Sequence, residues 1–200
     1  MNHSNHGKVR RLVTLALLTA LVVVLQTLGS FITIGSTPIS LTLVPIVIGA
    51  ILLGPGAGAF LGVVFGIVVL AAGLSGKDWF TNMLLNLRPF WTIMVCTVKG
   101  GLCGAVAGWI AKAFPHHLTI GSGLAALSAP IVNTGIFALF MLTVLRPGLE
   151  QFKVTVGSSE NTVTVLFLVL IGVNFIIELI VNAALSAAIA RIVKAVSSFD

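Results

Sequence analysis

The chain is 200 residues long, 58% hydrophobic and only 8% charged, with a mean hydropathy of +1.15. Soluble domains carry about 25% charged residues, so the composition excludes a soluble globular protein and predicts an integral membrane protein with no separate soluble domain. The net charge of +6 raises nucleic acid as a partner, but no contiguous basic patch with interleaved aromatics exists; the basic residues sit at the ends of apolar runs, where they orient a membrane protein against the lipid bilayer.

In chain order, MNHSNHGKVRR is short and basic, and LVTLALLTALVVVLQTLG continues without a small-residue cleavage site. This predicts a retained first helix over 12–29 rather than a signal peptide. FITIGSTPIS reads as a partly extended loop. A second helix is predicted over 41–53, a tight turn at Gly54-Pro55-Gly56 and a third helix over 57–72. GLSGKDWFTNMLLNLRPFW reads as a longer mixed loop with room for a short interfacial helix. The fourth helix is predicted over 92–113, the fifth over 120–145 with a bend at Pro130, and the sixth over 162–193, after RPGLEQFKVTVGSSEN, the most polar loop. The expected fold is all-α: one membrane domain, residues 1–200, forming a compact bundle of six transmembrane helices.

Six spans place both termini on one side. Lys8, Arg10, Arg11, Lys112, Arg191 and Lys194 then fall on that side, and Lys77, Arg88, Arg146 and Lys153 on the other. The bias favours cytoplasmic termini. The long loops after helices 1, 3 and 5 are then external, an arrangement suited to a ligand entrance on that face.

Several patterns exclude chemistry. Gly73-Leu74-Ser75-Gly76 matches the GxSG motif of intramembrane serine proteases, but His3, His6, His116 and His117 all lie outside the apolar spans, so Ser75 has no partner base. His116 and His117 are adjacent and point apart, and Cys96 and Cys103 form neither a disulfide framework nor a zinc pattern, so no metal site is expected. Gly76-Lys77 suggests a phosphate loop, yet Ala71 and Asp78 stand where Gly and Ser or Thr are needed. No cofactor is expected in the chain, and transport must use a gradient or another subunit's ATP.

What remains is a binding constellation. Asn174, Glu178 and Asn182 share one face of the last helix at spacing four. A carboxylate in a span is costly, by roughly 2.5–3.5 kcal/mol on insertion scales, and marks a path or binding site. Asn133 sits on the fifth helix; Arg88 begins the fourth, and Lys99 lies deeper in it. One reading makes Lys99 an internal ion pair with Glu178 and sends Arg88 to lipid headgroups. The other is a small-molecule pocket in which Arg88 or Lys99 meets an anionic group while Asn133, Asn174 and Glu178 read hydroxyls and amides. With helix 6 entered from outside, Asn182 is too deep to reach a ligand and is assigned to packing. With no Tyr and three Trp, a flexible, aliphatic, hydroxylated ligand is favoured over a flat ring.

Small residues recur at spacing four: Gly58, Gly62 and Gly66; Gly100, Gly104 and Gly108; Ala16 and Ala20. Such stripes let helices approach closely in lipid. Together with LTLVPIVIGAILLGPGAGAFLGVVFG and APIVNTGIF, the six-span layout and Ala16-x-x-x-Ala20 resemble the substrate-binding S components of energy-coupling factor (ECF) vitamin transporters. The resemblance covers nearly the whole chain, and helices 2 to 5 look most like the pantothenate-type members; other members take folate, riboflavin or cobalamin. It implies high-affinity uptake into a bacterial cell, docking of Ala16 and Ala20 on a membrane T component, ATP hydrolysis by two partner ATPases of the ABC type, and delivery by toppling in the membrane. It implies a transporter subunit rather than an enzyme. The competing expectation is an ion-coupled carrier working alone, with Glu178 as its proton site.

Overall fold

The computed structural model describes residues 3–29, 33–34, 37–38 and 41–197, and the side chains of 7–29 and 41–191. Helix α1 spans His3–Gly29, α2 Leu43–Leu53, α3 Pro55–Leu74, α4 Trp79–Leu87, α5 Pro89–Ala113, α6 Leu118–Leu142 and α7 Arg146–Thr155. A single turn, α8, covers Thr162–Thr164; a π-helix follows over Val165–Ile171, and α9 runs Gly172–Ser197. Between α1 and α2, β1 (Thr33–Ile34) pairs antiparallel with β2 (Thr37–Pro38), in the segment whose β-branched residues predicted an extended loop.

Local chemistry sets the boundaries. Gly54 holds φ at 96°, a conformation that other residues rarely adopt, and lets α2 reverse into α3. Pro55 and Pro89 occupy the first turns of α3 and α5, where their missing N–H leaves no hydrogen bond unmade. Asp78 caps α4: its carboxylate accepts from the Thr81 N–H at 3.1 Å and the Thr81 hydroxyl at 2.6 Å. Asn161 caps α8 in the same way, accepting from the Thr164 N–H at 2.8 Å.

Among the described residues, five helical stretches are long and apolar enough to cross a bilayer: Gly7–Gly29, Pro55–Leu74, Pro89–Ala113, Leu118–Leu142 and Thr162–Arg191. The second of the six predicted spans is the short apolar helix α2. Its 11 residues rise only about 16 Å at 1.5 Å each, roughly half of a 30 Å hydrocarbon core. The most polar loop is corrected, since it contains α7. The spacing of Gly148, Leu149 and Phe152 gives that segment one buried face despite its charges. The mixed loop after α3 contains the short helix α4.

The centre of the bundle is the α3–α5 pair. A Cβ added to Gly62 would run into the Gly100 carbonyl, one at Gly58 into the Gly104 carbonyl, and one at Gly66 into the Cys96 carbonyl. The two backbones therefore touch along a seam that only glycine permits on α3. In lipid no hydrophobic driving force pulls helices together, so close packing of this kind is what holds such a pair. In contrast, α1 buries only Leu18, Val22, Gln26 and Gly29 among its described side chains, and Ala16 and Ala20 lie exposed on its outer face.

Candidate functional site

The bundle is hollow at the end remote from the described N-terminus. The pocket is open at its mouth, and with the adjoining solvent space included it comprises about 830 Å³. Its walls come from the last turns of α1 (Gln26), the second half of α3 (Phe65, Val69), the first half of α5 (Val95, Cys96, Lys99) and the second half of α6 (Asn133, Thr134, Phe137). The π-helix and α9 close the last side with Leu170, Ile171, Asn174, Phe175 and Glu178. These last five recur at spacings of three and four, so one face of the final helix supplies them all. Seven residues of π-helix widen the turn just above Asn174. Such segments are uncommon, and frequent where a helix serves a site.

Two short helices cover one side of this end. Phe80, Thr81 and Leu84 of α4 line the pocket, as does the cap residue Asp78. Behind them, Phe152 of α7 meets the Phe80 ring edge-on at 5.4 Å and stacks with Trp79 at 6.0 Å. Gly148 lets α7 close on α4, because a Cβ there would strike the Leu84 side chain. The polar loop is thus ordered by burying its aromatic face against the helix that walls the pocket.

The charged lining is one ammonium and two carboxylates. Lys99 lies ten residues into α5, about 15 Å below Pro89. Its ammonium sits 5.2 Å from the centre of the Phe137 ring and 5.7 Å from that of Phe65, within cation–π range. It influences Glu178 electrostatically, but among the described residues no carboxylate is close enough to pair with it directly. The expected direct Lys99–Glu178 ion pair is therefore not formed among the described residues, and the Phe65 and Phe137 rings flank the ammonium. Asn133 and Glu178 both line the pocket, and Asn133 Oδ1 is buried with no hydrogen-bond partner among the described residues. Asp78 is fixed by Thr81, and Gln26 is fixed by accepting from the Thr42 hydroxyl at 2.9 Å.

The pocket thus belongs to a helical membrane bundle, faces one end, and mixes apolar walls with few polar groups, as small-molecule sites do. The model of the family described as ECF transporter, substrate-specific component, matches residues 10–190. The chain belongs to that family. No curated protein matches it. An ECF substrate-specific component is a transporter subunit rather than an enzyme, and it works in a membrane with a T component and ATPase subunits.

In this ECF component the structure brings Lys99, Asn133, Asn174 and Glu178 into one pocket. Arg88 stays outside it: the residue is exposed, in the junction between α4 and α5. Asn182 is buried at 1% exposure beyond the pocket and donates its Nδ2 to the Glu178 carbonyl at 2.8 Å. Sequence reasoning missed Gln26, Asp78 and Thr81. The Asp78-x-x-Thr81 spacing is a helix-cap signal that marks α4, while nothing periodic distinguishes Gln26. Phe65, Phe80, Phe137 and Phe175, from four different elements, all line the pocket, so the low count of Trp and Tyr does not leave it without rings.

Proposed function

We propose that this ECF component is the high-affinity binding subunit of an ATP-driven vitamin uptake transporter, and that its ligand is pantothenate. The observation that carries the reading is the Lys99 ammonium, held in the pocket over two rings with no directly paired carboxylate among the described residues. It offers a charge-assisted contact to an anionic ligand in a site of low dielectric. Asn133, Asn174 and Glu178 beside it supply partners for the hydroxyls and amide of an aliphatic acid. The pocket faces outward and the termini lie in the cytoplasm, as the basic residues around 8–11 favour. Ala16 and Ala20, exposed on the least buried long helix, form the face that docks on the T component. Two ABC-type ATPases then drive toppling and inward delivery, and no cofactor is held in this chain.

A ligand panel on the purified chain tests the specific reading: pantothenate binds, with riboflavin, folate and cobalamin much weaker. Tight binding of one of those, with none for pantothenate, sinks it. The four pocket phenylalanines favour a second reading, folate, which joins a flat ring to carboxylates. The stand-alone carrier reading requires uptake into liposomes without ATPase subunits; copurification with an ATP-hydrolysing complex argues against it.

A further inference from the structure

The last span changes its helical phase part-way down. Ile180, Ile176, Val173 and Val169 form its lipid-facing row, at spacings of four and three. Carried one step further up, that row reaches Val165 and Leu166, yet both are fully buried. The buried face slips in the same way. Leu166 and Glu178 are twelve residues apart, and at about 100° per residue an α-helix would set them roughly 120° from each other. Between them lies the π-helix, Val165–Ile171. A π turn pairs residues five apart instead of four, and so takes up one extra residue. With one residue removed from the count, Leu166 and Glu178 stand about 20° apart, on one face.

Gly172 follows the π segment directly. A Cβ there would lie 2.7 Å from the Phe167 carbonyl oxygen, five residues back, which is the π spacing. Gly123 and Gly135, inside the α-helix α6, have nothing within 4 Å of an added Cβ. The close approach therefore belongs to the π turn, and a side chain at 172 opposes it. Both ends of the span are held elsewhere. Above, the Thr162 hydroxyl donates to Glu150 of α7 at 2.8 Å, and Asn161 caps the first turn. Below, Asn182 and Ile189 are buried in the bundle. The register between these anchors is set by what lies between them.

We infer that Gly172, which does not itself line the pocket, is a positioning residue for it. By permitting the π turn, it lets the span absorb one residue, and this turns Asn174 and Glu178 into the cavity. In an unbroken α-helix hung from the same upper anchor, the inward row below Leu166 is Leu170, Val173, Ile177 and Ile180. That wall is wholly apolar, and it swings Glu178 toward lipid, where a carboxylate is costly. The regular helix is thus the less favourable arrangement here, provided that residue 172 has no side chain. The inference rests on reading the pocket as the substrate site, but not on which ligand fills it.

The test uses the full chain purified in detergent, with pantothenate titrated by calorimetry and thermal unfolding followed in parallel. Deleting one residue from a helical span ordinarily rotates everything beyond it by about 100°. Val169 is a lipid-facing residue of the π segment, and its deletion should instead convert the π turn to α with both flanks in place. Affinity is expected to stay within about threefold of native, and the melting temperature should not fall. Deleting Leu168 and Val169 together goes one residue too far. It should weaken binding by about tenfold or more, the scale of a lost buried hydrogen bond. Gly172→Ala should weaken binding as much in the native chain and lower its melting temperature. Combined with the Val169 deletion it should be tolerated, since no π turn remains to oppose the methyl group. If riboflavin, folate or cobalamin binds the native chain and pantothenate does not, the vitamin assignment falls and the same variants are read with that ligand. If none binds, the substrate reading falls and the melting temperatures alone decide the role of Gly172. A Val169 deletion that behaves like the double deletion overturns the inference. So does a Gly172→Ala substitution that leaves affinity and melting native, or that is equally damaging with and without Val169.

Discussion

Two regions carry the same sequence pattern and meet opposite fates. Glycines at spacing four on α3 and α5 are buried, and the two backbones touch there. Alanines at spacing four on α1 are exposed, on a helix that contributes only a narrow stripe to the bundle. A small-residue stripe makes a flat helix surface; it does not say what will lie against that surface. In α3–α5 the occupant is inside the chain. On α1 the expected occupant is a different subunit, which is why the pattern could be conspicuous in both places yet stabilise the fold in only one.

The contrast can be broken most severely at the seam. Gly62→Val drives a side chain into the Gly100 carbonyl, and the helices must separate. Destabilisation of about 3 kcal/mol or more is expected, read as loss of monodisperse protein in detergent chromatography. A native melting curve would show that the seam is not what joins the pair. Next in size is the outer face. Ala16→Trp and Ala20→Trp should leave ligand affinity within about twofold and reduce ATP-driven uptake by about tenfold or more, since packing at a helix interface requires small residues. Unchanged uptake in cells would remove the docking role. Smaller again, Asp78→Ala removes the cap of α4 and should lower stability by about 1 kcal/mol, measured by thermal unfolding; a native melting temperature would mean that α4 is held by its aromatic packing alone. Smallest is Gly135→Ala. This glycine is exposed on α6, with nothing within 4 Å of an added Cβ. The substitution should raise stability by about 0.5–1 kcal/mol through helix propensity. A destabilised protein would place Gly135 at a contact that the bundle alone does not reveal.

Much of the fold was legible because lipid forces simple rules: long apolar runs, glycine stripes and proline-glycine turns all mark helices or their ends. The short helix α2 was legible as well, as an apolar run ended by the Gly54-Pro55-Gly56 turn. The helix α7 was hidden because Arg146, Glu150 and Lys153 dominate its composition, although its apolar face is regular. In the site, Lys99, Asn133, Asn174 and Glu178 stood out because polar groups are expensive within spans. Asp78 and Thr81 did not, since polar residues in a connection draw no attention. Arg88 drew attention by its charge, yet the chain enters α5 at that point and leaves it exposed. The π-helix over Val165–Ile171 has no signature in the sequence; an apolar run of this kind reads equally well as α.

The glycine seam has a further consequence for how binding preference is rewritten. Contacts made by main chain have almost no side-chain identity to alter, so the seam cannot drift gradually. Phe65 lies one residue from Gly66, and Lys99 one residue from Gly100, about 100° round the same two helices. The frame and the recognition surface are thus carried on one pair of rods but written in separate letters. Phe65, Val69, Cys96 and Lys99 line the cavity from the same two helices that form the seam. A single scaffold can in this way change its cargo by few substitutions, without passing through an unfolded ancestor.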